Sequence, residues 1–176
     1  MNAPAPAAER EALKFFLAAQ RASVLAIVDG LTEDQMSRAI VPSGWTPAGM
    51  IEHLGDAERV WFQFVVANET ADDEDHEPAD GEPADGMASN GFRPRRSVAA
   101  ALSYYRAQTV RSDEILAATP LDARPAARPM VDIGIADDVM TVRDVVMHVI
   151  EETARHAGHL DVARELIDGR TGLGPR

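Results

Sequence analysis

Apolar residues recur at three- and four-residue steps over four long stretches of this 176-residue chain, and the intervals between them are polar or rich in Pro and Gly. The first stretch runs from Ala7 to about Asp29, with Leu13, Phe16, Leu17, Val24, Ile27 and Val28 on one side and Gly30 as the stop. Thr32 caps a short helical piece reaching about Arg38, and Gln35 completes a capping box. Pro42-Ser43-Gly44 reads as a turn. Thr46-Pro47, an N-cap followed by Pro at the first helical position, starts a second long helix that should reach about Asn68. Its stripe is Met50, His53/Leu54, Ala57, Val60/Trp61 and Phe64. Ser97 caps a third helix to about Ala118, with Val98, Leu102, Tyr105, Thr109, Ser112/Asp113 and Leu116 along one side. Thr119 to Met140 has no usable period. Thr141, with Asp144 three positions on, opens a last helix that runs to about Asp168 and stops at Gly169.

No segment alternates with a period of two, and no repeat of solenoid length is present. The pattern therefore predicts an all-α protein, an antiparallel four-helix bundle. Hydrophobic residues make up 45% and aromatics only 5%, so the core must be built from aliphatic side chains, which suits helix packing. The expected domain spans 7–169, with flexible termini at 1–6 and 170–176.

The net charge of −12 argues against nucleic acid or an anionic membrane as a partner. Nine of the acidic residues lie between Glu69 and Asp85, where no basic residue occurs; without them the balance is about −3. The stretch from 69 to 96 is thus expected to be an acidic loop, mobile and at the rim of a pocket, with His76 solvated in it. No apolar run approaches the length of a membrane span, and no basic region followed by an apolar run marks a secretory signal, so a cytoplasmic protein is expected. The chain has no cysteine, which excludes disulfides, thiolate metal sites and a cysteine nucleophile.

The last helix carries the chemistry. Val145, His148/Val149, Glu152, His156, His159/Leu160, Ala163 and Leu166/Ile167 share one stripe, while Arg143, Glu151, Arg155 and Arg164 read as its solvated side. A single His on an apolar face is ordinarily a hydrogen-bonded core residue. Here a carboxylate and several imidazoles fall together among Val, Leu, Ile and Ala, and burying them requires compensation. Glu152 and His156 are one helical turn apart, roughly 6 Å along the axis. His53, on the apolar face of the second helix, is available as a third group. Two His and one carboxylate with open positions suit a divalent metal, zinc first, with nickel or iron as alternatives. Spacing alone does not choose between the 148/152 and 152/156 pairs. His159 is a candidate for a supporting hydrogen bond to a ligand.

The stretches Val41-Pro42-Ser43-Gly44-Trp45-Thr46-Pro47 and Glu52-His53-Leu54-Gly55-Asp56-Ala57-Glu58-Arg59 resemble the second helix of DinB-like proteins. Met147-His148-Val149-Ile150-Glu151-Glu152-Thr153-Ala154-Arg155-His156-Ala157-Gly158-His159-Leu160-Asp161 resembles their last helix. The resemblance covers nearly the whole chain. It implies an up-down-down-up four-helix bundle with a long crossover, often homodimeric. It also implies a divalent metal held by His53, Glu152 and His156, which selects the 152/156 pair and leaves His148 and His159 as second-sphere candidates. The His/Glu/His set is similar to that of the zinc-binding, mycothiol-dependent maleylpyruvate isomerases.

Three functions remain in view from the sequence. One is a metal-dependent transferase or isomerase acting on a small-molecule substrate with a low-molecular-weight thiol such as mycothiol. The second is a metal-dependent hydrolase. The third is a metal-stabilised bundle with a non-enzymatic stress-response or ligand-binding role. No residue other than the candidate ligands carries a catalytic signature.

Overall fold

The computed structural model describes residues 6–69, 92–127 and 141–172. Among them every regular element is helical: α1 (Pro6–Val28), α2 (Glu33–Ser37), α3 (Pro47–Glu58) continued by a π-helical segment (Arg59–Val66), α4 (Val98–Ala118) and α5 (Val142–Asp168). Most of the expected acidic loop, including His76, lies outside the described residues.

The helix starts follow from local chemistry. The side chains of Thr46 and Ser97 accept from the backbone N–H of Gly49 and Ala100, and Thr32 and Thr141 form reciprocal capping boxes with Gln35 and Asp144. Gly169, at φ 78°, ends α5 in the left-handed conformation that glycine adopts without strain.

Cross-helix bonds fix the directions. Arg143 near the start of α5 pairs with Glu9 near the start of α1, and Arg164 near the end of α5 reaches the carbonyl of Ile27 at the end of α1. The two helices are therefore parallel. Glu52 meets Arg96, Asp56 meets Tyr104 and Gln63 meets Gln108, so α3 and α4 also run parallel. Arg10 of α1 donates to the Leu116 carbonyl near the end of α4, and His53 of α3 faces Glu152 of α5, with Trp61 further along facing His148. Both relations are antiparallel, and the topology is up-down-down-up. Parallel neighbours cannot be joined by a tight turn, which explains the long α3–α4 crossover.

Two apolar clusters form the core. One gathers Leu17, Trp61, Phe62, Leu116, Val145 and Val149; the other gathers Val24, Ile51, Leu54, Tyr105, Ala157 and Leu160. Buried polar groups are set among these apolar side chains: Arg21 on α1, His53 and Glu58 on α3, and Thr153 and His156 on α5. Arg21 and Glu58 pair through Nε–Oε1 at 2.7 Å and Nη2–Oε2 at 2.6 Å, and Arg21 Nη1 reaches Asp113 at 2.7 Å.

Several expected placements are corrected. The second long helix does not stay α-helical to Asn68; over Arg59–Val66 its bonds close five residues back, as in Ala67 N to Phe62 O at 3.0 Å. The wider turn shifts the stripe, so Phe62, Val65 and Val66 are buried while Val60 and Phe64 are only half-buried. Arg164, expected on the solvated side, is 2% exposed, because its guanidinium caps the carbonyls of Ile27 and Asp29, both at 2.7 Å. Phe16 and Leu166, expected inside, are exposed, as is Asp113 despite its pairing. No described helix is long and apolar enough to cross a membrane.

Candidate metal centre

The two histidines and the carboxylate expected from α3 and α5 meet where these two helices face each other. Glu152 Oε1 lies 2.8 Å from His156 Nε2 and 3.1 Å from His53 Nε2. The imidazole centroids are 4.9 Å apart, with ring planes 86° to one another. Helix geometry explains half of this. His156 follows Glu152 by four residues and shares its face of α5. The other half is tertiary: α3 crosses antiparallel and brings in His53 from 99 residues away.

A carboxylate has lone pairs and no protons to give, so both Nε2 atoms donate to Oε1. Hydrogen bonds from His156 first and His53 second outweigh the effect of burial and hold the Glu152 carboxyl well below the usual carboxylate range. Its second oxygen faces the Arg155 guanidinium at 3.8 Å. One atom from each of His53, Glu152 and His156 lies within 4.8 Å of the other two. This donor set suits a divalent ion: without their Nε2 protons, the two imidazoles would offer lone pairs beside the carboxylate. An ion there would take the place of the two protons that now bridge the three side chains.

His159 and His148 occupy different positions around this cluster. His159 is largely exposed, with Nδ1 3.3 Å from Nδ1 of His156, and its ring lies 6.4 Å from that of Trp45. It thus contacts the face of His156 that points away from Glu152. His148 lies one turn before Glu152 and packs against Trp61 at 4.4 Å between centroids, the ring planes tilted by 58°. Burial pushes its imidazole below the ordinary value.

Other groups at the site went unnoticed in the sequence. Phe92 sits against His53 at 4.4 Å and against His156 at 5.6 Å between centroids. Glu52, on the turn that carries His53, is buried and accepts from both Arg95 and Arg96. Burial alone would raise its carboxyl, but hydrogen bonds from the Arg95 side chain and from the backbone of Arg96 and Arg95 prevail and lower it. The only signal for this contact was the Arg95-Arg96 pair just before α4. Charge pairs 43 and 44 residues apart have no periodicity to betray them.

A family model described as MST, Mycothiol-S-transferase, matches residues 12–169, and so takes in both helices that meet at the cluster. No curated protein matches the chain.

Proposed function

Because the chain belongs to the mycothiol S-transferase family, a DinB-like family, we propose that it binds a divalent metal through His53, Glu152 and His156. We propose further that it transfers the sulfur of a low-molecular-weight thiol such as mycothiol to a small electrophilic substrate. The observation that carries this reading is the convergence of three ligand atoms within 4.8 Å. The cysteine-free chain supplies no sulfur nucleophile of its own, so the nucleophile comes from the co-substrate.

A divalent ion bound there would supply the positive charge that favours thiolate over thiol at neutral pH. The chain's own residues do the rest. His53 and His156 contribute neutral donors, and Glu152 contributes one negative charge, leaving the centre cationic. His159, bonded to the second nitrogen of His156, fixes the orientation of that ring. Phe92 and the buried flank of α3 shield one side from water. The net reaction forms a sulfur–carbon bond, breaks the bond to the leaving group and releases the thiol proton.

Zinc is the first choice of ion for this donor set. The reading also includes a cytoplasmic homodimer. A cytoplasmic thiol pool would provide the co-substrate. Phe15 and Phe16 on α1, with Met147, Val162 and Leu166 on neighbouring α5, offer exposed apolar side chains for a second copy.

Elemental analysis of untagged protein tests the centre: near-stoichiometric metal is expected, with most of it lost in His53→Ala and in His156→Ala. Cobalt-loaded protein titrated with mycothiol then tests the chemistry. A sulfur-to-metal charge-transfer band, absent in Glu152→Gln, is expected. Turnover without thiol would instead mark a hydrolase. No band with any thiol, together with a large loss of thermal stability on chelation, would mark a structural metal.

A further inference from the structure

Phe92 comes from neither of the helices that carry the cluster, yet its ring packs edge-on against His53, at 61° between planes, and lies close to His156. Three contacts hold the segment that carries it. Its carbonyl accepts from Thr46 N at 3.4 Å. The same carbonyl passes so close to α3 that a Cβ built at Gly49 would lie 1.5 Å from the oxygen, so only glycine admits this path. The third contact is Glu52, 2% exposed, which accepts four hydrogen bonds: from Arg95 N and Nε at 2.9 and 2.8 Å, and from Arg96 N and Nη1 at 3.1 and 2.6 Å. Arg95 Nη2 also reaches Asp56 at 2.6 Å. Phe92 itself is held at φ 54°, a region that side-chain-bearing residues seldom adopt and that persists where the surroundings over-determine the backbone.

A buried carboxylate satisfied by four donors does more than tether a loop. It sets the height and rotation of residues 92–96 on α3, and the side chain whose place is thereby fixed at the cluster is the Phe92 ring. We propose that Phe92 is the specificity-determining wall of the site and that Glu52 is a positioning residue acting through it. The proposal rests on the reading of the cluster as the reactive centre. Phe92 closes one approach to the imidazole pair with an apolar surface. It selects an electrophile that presents an apolar group beside its reacting atom, and it turns away polar ones of the same size. Glu52 touches neither substrate nor ligand atoms; its grip on Arg95 and Arg96 is what keeps the ring in place.

The decisive experiment needs no metal. Full-length, metal-free protein is treated with diethyl pyrocarbonate, and acylation of each imidazole is followed by peptide mass spectrometry. Phe92→Ala should raise the rate at His53 severalfold and leave His148, packed against Trp61, unchanged. Gly49→Ala and Glu52→Gln should act in the same direction, because each displaces the backbone that carries the ring. Phe92→Trp should restore protection. Glu52→Gln added to Phe92→Ala should change nothing further, since a residue that acts through the ring has no effect once the ring is gone. An unchanged His53 rate in Phe92→Ala would overturn the wall, additive effects would overturn the role of Glu52, and a uniform rise at every histidine would reduce both to general loosening. In the metal-loaded protein, kcat/KM across electrophiles of graded apolar bulk should lose its preference in Phe92→Ala. Wild-type protein that takes up no metal and transfers no thiol would remove the proposed function, while the acylation rates would still decide the place of Phe92.

Discussion

Arg21 of α1 and Glu58 of α3 face each other through two parallel hydrogen bonds in the interior of the bundle, with side chains 8% and 1% exposed. Both charges are buried, so each is held chiefly by the other. Removing one partner of such a pair costs about 3–5 kcal/mol. The two deletions should differ. Arg21→Ala strands the buried Glu58 without its guanidinium partner, whereas Glu58→Ala leaves Arg21 its bond to Asp113. Urea unfolding should place Arg21→Ala lower, and the double variant Arg21→Met/Glu58→Leu should recover much of the loss.

Metal-free protein should show a pH dependence traceable to His148. Burial against Trp61 holds this imidazole below its ordinary value of 6.5. The unfolded chain therefore takes up a proton before the native one does. The resulting contribution is fully present above that value and declines as the pH falls toward the folded one. The stability difference between wild type and His148→Leu should shift in favour of the variant on acidification. A difference that is flat from neutral pH to pH 5 would contradict this placement.

Gly55→Ala should destabilise despite the better helix propensity of alanine. A Cβ there would lie 2.7 Å from two ring atoms of Tyr104, whose hydroxyl donates to Asp56 and whose face is covered by Arg96. Overpacking of this kind costs about 1–3 kcal/mol, against a propensity gain of about 1 kcal/mol. Chemical denaturation should show a net loss, and Tyr104→Leu in the same chain should relieve it.

Arg164→Ala should loosen the end of α1 more than α5 itself. The guanidinium satisfies the carbonyls of Ile27 and Asp29, and leaving buried groups unpaired costs about 1–3 kcal/mol. Hydrogen exchange should accelerate around Ala26–Val28. Arg164→Lys should rescue only in part, since an ammonium cannot span the two carbonyls and Asp168 as a planar fork does.

The helices were legible in the sequence because their signals are local. Thr46-Pro47, the Thr32/Gln35 and Thr141/Asp144 boxes and Gly169 each satisfy backbone groups a few residues away. His53, Glu152 and His156 were legible as polar interruptions of apolar stripes. What escaped was whatever depends on a partner from another helix. Arg164 shares the flank of α5 with true surface residues, and only the end of α1 makes it an interior group. Glu52 and Glu58 look like ordinary solvated carboxylates until Arg95, Arg96 and Arg21 arrive. The π-helical turn at Arg59–Val66 resets the phase of the buried face, which a fixed helical period cannot follow. Phe92 follows an acidic stretch with no pattern at all.

The 99-residue separation of His53 from Glu152 has a bearing on how the protein comes into being. During synthesis His53 emerges long before α5 exists, and an isolated imidazole on α3 retains no ion. The cluster arises only when the last helix, carrying Glu152 and His156 together, docks against α3. Whatever the centre would hold can therefore be bound by all three groups only once α5 has folded against α3. A truncated product lacking α5 would carry only His53 of the set.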